Sequence, residues 1–199
     1  PAEIAHGFLY DVLEKRPDYL FLPQFKADTI TGDHEKSTAC PLCQGEPYYL
    51  AAAFKDHEVF KALSDQGKIL DPVMDFSRGM ESMEPVFLAM ARKLGKGRFA
   101  ARRAFRDALA QQRERFRAME DRGRQVLREL EENPDEIAVV LFGRPYNALV
   151  TEAHMGIPNK LASRGVRVIP LPYLEMKEEY YHDASMYWSS GQRILAAAR

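Results

Sequence analysis

Short apolar runs alternate with long amphipathic stretches along this chain, and prolines or glycines stand at most of the changeovers. Residues 3–15 read as a helix, with Ile4, Phe8, Leu9 and Val12 on one face at i, i+4, i+5 and i+8. Pro17 ends it, and the continuous apolar run Tyr19–Leu22 suits a buried parallel strand that Pro23 closes. Residues 24–39 are polar and read as a loop on the carboxyl side of that strand. Cys40-Pro41 opens a helix to about Phe54, because proline is favoured at the first helical position, where its missing N–H costs nothing. A second helix is expected over 56–66, and Lys68–Met74 reads as a second short strand or strand edge.

From Met83 to Glu132 the pattern is helical, broken at Gly95-Lys-Gly97. Beyond the break, positions 105, 109, 112, 116, 119, 123, 126 and 130 step by four and three and carry Phe, Leu, Gln, Phe, Met, Gly, Val and Leu, a narrow packing seam. The arginines lie largely off it. Asn133-Pro134 stops the helix, and Glu136–Phe142 is the clearest strand, apolar and β-branched after its first residue. The turn Gly143-Arg-Pro-Tyr-Asn147 follows, then a helix over about 151–164 with Gly165 as its cap, the strand Val166–Pro170, and a last helix from about Ser185. Strand, helix and strand over about 35 residues make a βαβ unit. The expected class is α/β: two small parallel-sheet lobes of Rossmann-like or flavodoxin-like kind. The first spans 1–82, a helical connection spans 83–133, and the second lobe spans 134–199 and is expected to be cut short.

Composition adds limits. With 46% hydrophobic and 29% charged residues, 199 residues can bury a core and keep a charged surface. The net charge of −1 gives no overall pull toward nucleic acid or anionic membrane. The charge is uneven, since Arg92–Arg128 carries thirteen Lys/Arg against four Asp/Glu. No run of about eighteen apolar residues occurs, and the start has no basic region followed by an apolar stretch. A cytoplasmic location is expected. Both ends fall inside helical patterns and read as cuts through a longer protein.

Two cysteines make no disulfide scaffold, but Cys40-Pro-Leu-Cys43 is a CxxC. In a reducing compartment that spacing points to metal, cluster or redox chemistry. A loop-to-helix junction suits a thiolate, since the first N–H groups and the positive end of the helix dipole favour negative charge. Against this stands the plain alternative of two small buried residues at a helix start. A zinc site or cubane takes three or four protein ligands, so the rest would come from histidine, an exogenous ligand or chain elsewhere. His6, His34, His57, His154 and His182 are scattered, and His34, beside Asp33 and Glu35, is the one near the cysteines in sequence. It is either a ligand or a solvated loop residue. Gly143, Arg144, Tyr146 and Asn147 lie after a strand, where open α/β sheets bind ligands, and Arg144 suits a phosphate or carboxylate; the alternative is a tight turn with an exposed arginine. The arginine-rich helices read as a solvated or partner-facing surface before a nucleic-acid one, because the aromatics sit on the seam.

Taken in order, several stretches resemble the activase-related proteins of the 2-hydroxyacyl-CoA dehydratase system. They are His6-Gly7 with Asp18-Tyr-Leu-Phe-Leu-Pro23, Thr38-Ala-Cys-Pro-Leu-Cys-Gln-Gly-Glu-Pro-Tyr48, Val139-Val-Leu-Phe-Gly-Arg-Pro-Tyr-Asn147, and the tail Met186-Tyr-Trp-Ser-Ser-Gly-Gln-Arg-Ile-Leu195. The resemblance covers essentially the whole chain. It implies a domain that follows ATPase-like activase modules of the sugar-kinase/actin type. In related dehydratase subunits, similar α/β lobes hold a [4Fe–4S] cluster between them through cysteines, and the activases use ATP hydrolysis to drive a low-potential electron into it.

By that resemblance Cys40 matches the family's Cys-Pro position and is the leading ligand, while Cys43 is an addition to the commoner pattern. The implied function is an iron–sulfur or redox module in low-potential electron transfer, with Gly143–Asn147 lining a cleft between lobes. Its implied partners are ATPase-like activase modules, a dehydratase-like domain of the same or a partner chain, and acyl-CoA. Two alternatives stay open: a metal-free scaffold docking the ATPase part through the basic helices, and an anion or CoA-phosphate site at Arg144.

Overall fold

The computed structural model describes residues 2–29, 37–176 and 185–198, with the side chains of Pro145 and Tyr146 outside the described set. It is mixed α/β, with small parallel two-stranded sheets and long helices. Among the described residues the chain divides into two units, the first running to Arg106 and the second starting at Asp107.

Two prolines shape the sheet of the first unit. Strands β1 (Leu20–Phe21) and β2 (Gln24–Ala27) run parallel to β3 (Ile69–Leu70) and β4 (Val73–Asp75). The ladder carries on past the gaps, since the N–H groups of Leu20, Leu22 and Gln24 donate to the carbonyls of Lys68, Leu70 and Pro72 at 3.0, 2.8 and 2.9 Å. Pro23 falls on the phase where the N–H points away, so it costs no rung. Pro72 withholds the N–H that would answer Leu22, and one rung is lost. Residues 24–27 are therefore strand, and the expectation that Pro23 closes the strand and opens a loop fails there. The ladder ends at Phe76, whose N–H donates to Ala27 at 3.0 Å. The ion pair Lys26–Asp75 at 2.8 Å joins the same two ends.

Helices α1 (Ala2–Glu14), α2 (Pro41–Phe54) and α3 (Glu58–Asp65) supply the core with the strands: Leu9, Leu13, Leu20, Leu22, Leu50, Phe60 and Leu63 are buried together. Of the expected α1 face only Leu9 is buried; Leu13 joins it, and Ile4, Phe8 and Val12 are exposed. Two stripes compete on this helix, Ile4-Phe8-Val12 and Ala5-Leu9-Leu13. The second packs inward, with Ala5 partly buried against the core, because a small residue lets the helix approach closely. The unit continues through α4 (Glu84–Lys93), where Glu84 pairs with Arg102 at 2.6 Å and Phe87 lies against Phe105 with ring centroids 5.3 Å apart.

The 35-residue helix α5 (Arg98–Glu132) runs from the first unit into the second. The break at Gly95-Lys-Gly97 falls where expected, before its start. The seam is covered at Phe105, Leu109, Met119, Gly123, Val126 and Leu130, whereas Gln112 and Phe116 are exposed. Gly123 is required, because a Cβ there would stand 1.8 Å from the Tyr173 carbonyl oxygen. In the second unit β5 (Ala138–Leu141) pairs in parallel with β6 (Arg167–Pro170). Arg167 fastens this sheet to α5 through Glu129 at 2.5 Å and to Glu136 at 2.7 Å.

The connection between β5 and β6 holds α6 (Pro145–Ala148), turns over 151–156, and α7 (Ile157–Ala162). The expected helix over 151–164 is thus shorter. Met155 and Gly156 both take positive φ, 52° and 71°, and Pro158 follows, so the chain cannot helically pass them. Gly165 takes φ 78° after α7, as a residue ending a helix does. The last helix, α8 (Ser189–Ala197), buries Gln192, whose side-chain amide donates to the Met186 carbonyl at 2.6 Å.

Candidate functional site

The first strand-to-helix junction is built by a short antiparallel return. After β2 the chain comes back beside it: Thr38 bridges Ala27, Asp28 N–H donates to Ser37 at 2.9 Å, and Ala39 N–H donates to Lys26 at 2.9 Å. Ser37 is only 1% exposed, so this return is fixed from within. Cys40 follows directly. Its φ of −62° and ψ of 146° make it the residue that caps α2, and Pro41 takes the first helical position. Cys43 is the third helical residue. Residues at cap and third position face each other across the first turn.

The start of α2 is held without a thiol cap, since no side-chain hydrogen bond from Cys40 closes it. Gln44 does part of this work: its N–H donates to the Cys40 carbonyl at 3.1 Å, and its side-chain amide reaches back to the Ala39 carbonyl at 2.8 Å. Further along, Leu50 plants the helix in the core at 2% exposure, and Tyr48 donates its hydroxyl to Gln24 of β2 at 3.0 Å. Pro47 sits inside the helix and is buried. It has no N–H to give the Cys43 carbonyl, so the helical bond at that step is missing.

Cys40 and Cys43 are both half-buried and neither is in a disulfide. They begin an i, i+3 row along α2 that continues with Glu46 and Tyr49. Burial pushes the Glu46 carboxyl above the ordinary range. Burial, then the charges of Glu46, Cys43 and Cys40, push the Tyr49 phenol up as well, which puts both thiols within electrostatic reach of that hydroxyl. Side chains on a helix lean back toward its start, which brings Tyr49 toward the thiols. Helix α1 adds His6, stacked on Tyr49 at 5.5 Å and 13° between ring planes. The His6 Nδ1 lies 2.7 Å from the Ala2 carbonyl, which can only accept, so this nitrogen is the donor. Spacing alone singled out the cysteines. Glu46 and Tyr49 were legible as the continuation of their row, whereas His6 carries no sequence signal for its place.

Two thiols at one helix start have the donor chemistry that soft metals and iron–sulfur clusters take. They do not complete such a site. Among the described residues no group of three or more His, Cys, Asp or Glu is arranged to hold a metal ion. His34, the ligand candidate nearest in sequence, lies outside the described residues, as does His182.

The second junction is smaller. Gly143 and Arg144 follow β5, and the Arg144 carbonyl accepts from Asn147 and Ala148, both at 2.9 Å, starting the four-residue α6. A Cβ on Gly143 would meet the Ala148 Cβ at 2.9 Å, so the residue is fixed by close packing. Arg144 is half-buried and Asn147 is exposed, while the Tyr146 side chain lies outside the described set.

Residues 1–174 match the family model described as the CoA enzyme activase uncharacterised domain. No curated protein and no solved structure matches the chain.

Proposed function

The chain belongs to the CoA enzyme activase uncharacterised domain family, and on that premise we propose that it supplies Cys40 and Cys43 as a two-thiolate share of an iron–sulfur centre. In this reading it is a redox module of low-potential electron transfer between an activase and a dehydratase-like partner. The observation that carries it is the placement of both thiols on the first turn of one helix, which the antiparallel return beside a parallel strand pair sets in place. The remaining ligands come from outside the described residues. A cluster of this kind, when bound, accepts and passes on single electrons.

This chain's part is positional. The antiparallel return fixes Cys40, Leu50 anchors the helix, and Gln44 orders its start. Burial and the charges of Glu46, Cys43 and Cys40 hold the Tyr49 phenol above its ordinary range. The test is anaerobic reconstitution of the intact protein with iron and sulfide. A charge-transfer band at about 400 nm is expected in the wild type and lost in Cys40→Ala. Identical spectra from the two would overturn the reading.

A second reading rests on α5. At about 100° per residue, Arg102, Arg106, Arg113, Arg117, Arg124 and Arg128 fall within about 80° of arc, and residues 110–118 are all exposed. This basic line then docks an acidic face of the ATPase-like modules. Changing Arg113, Arg117 and Arg128 together to Glu is expected to abolish that association, with Cys40→Ala leaving it intact. Unchanged association in the triple variant would dispose of it.

A further inference from the structure

The positions of Cys40 and Cys43 carry chemistry that needs no metal. We propose that these two thiols form a reversible dithiol–disulfide couple that exchanges with small disulfides of the glutathione class. This stands apart from the ligand reading, although a closed disulfide would withdraw both thiolates from any metal.

The geometry favours closure within the chain. Side chains three apart on a helix have Cβ atoms about 5–6 Å apart, and a disulfide takes about 3.5–4.5 Å. The remaining ångström or two falls on Cys40, whose ψ of 146° lies outside the helical region, so a change there leaves the helical turns intact. Leu42 and Pro41 are exposed beside the half-buried sulfurs, so a tripeptide disulfide can approach. The rest of the helix holds still under the change, because Leu50 and Pro47 are buried below it.

The step balances through a mixed disulfide. One thiolate attacks the glutathione disulfide, an S–S bond forms to the protein, and one glutathione thiolate leaves. The second protein thiol loses its proton to water and displaces the second glutathione. In total two protein thiols give up two electrons and two protons, and one small disulfide becomes two thiols. The second displacement is intramolecular, so the mixed species is short-lived where both cysteines are present.

The test uses the intact protein, freed of iron by chelation, equilibrated against mixtures of reduced and oxidised glutathione and quenched with N-ethylmaleimide. The tryptic peptide Ser37–Lys55 holds both cysteines. Two labels are expected on it at the reducing end and none at the oxidising end, where it is lighter by two hydrogens. Both labels vanish along a single two-electron curve. In Cys43→Ser the same peptide is expected to carry one glutathione, at roughly tenfold the wild-type level. Two labels at every ratio, or glutathione carried equally by wild type and variant, would overturn the proposal.

Discussion

Two helices, α2 and α6, each come next in the chain after a parallel strand, and they differ in what holds them. After β2, an antiparallel return with buried Ser37 sets Cys40 at the head of a 14-residue helix that reaches the core at Leu50. After β5, the turn at Gly143 leads into four helical residues and then further turns. The first junction sets two thiols on the opening turn of a helix that is anchored in the core. The second is a packing corner, with Gly143 against Ala148 and Arg144 at its edge. The proposed ligand role goes with the more deeply anchored of the two, and the contrast makes that assignment open to test.

The strongest break of this contrast is Leu50→Ala. Removing a leucine at 2% exposure is expected to cost about 2–5 kcal/mol by denaturant unfolding. It should also loosen α2 and raise the alkylation rate of Cys43. A loss under about 1 kcal/mol would mean that α2 is not anchored through the core.

Gly143→Ala probes the other corner. The added Cβ at 2.9 Å from Ala148 forces a small shift, with an expected cost of about 1–3 kcal/mol and no change in thiol reactivity. A change in Cys40 labelling with this variant would show that the two junctions are coupled.

The smallest effects are in pH dependence. Hydrogen bonds from Lys26 and Ser77 hold the Asp75 carboxyl at about 2, against an ordinary 3.8. Its folded value is the lower one, so the stability it adds is present above about pH 4 and is lost as pH falls toward 2. Asp75→Asn should remove that acid-side slope. Glu46 runs the other way: burial raises its carboxyl, so its contribution is present below its ordinary 4.5 and is lost as pH rises through the higher folded value. Glu46→Gln should flatten stability on that side. Slopes unchanged in both variants would contradict these assignments.

Much of the fold was legible because prolines and glycines mark real ends. Pro41 opens α2, the Gly95-Lys-Gly97 break separates α4 from α5, and the run 136–142 contains β5. Other punctuation misled. Pro23 reads as a stop, yet its nitrogen lies on the silent phase of a parallel ladder and the strand continues. The helix expected over 151–164 shortens to α7, because Met155 and Gly156 take positive φ ahead of Pro158. The inward face of α1 was hidden because two stripes of similar spacing compete, and close approach at Ala5 outranks the greater bulk of Phe8. At the site, spacing revealed the cysteine pair. The stacking of His6 on Tyr49 depends on how α1 meets α2, which no local pattern encodes.

The most direct test of the central claim is the iron content of the intact protein purified without oxygen, measured for wild type, Cys40→Ala and Arg144→Ala. Iron bound in the wild type and in Arg144→Ala, and lost in Cys40→Ala, is the expected result. Iron retained in Cys40→Ala at the wild-type level, or absent from the wild type, would contradict the assignment of the first junction as the ligand site.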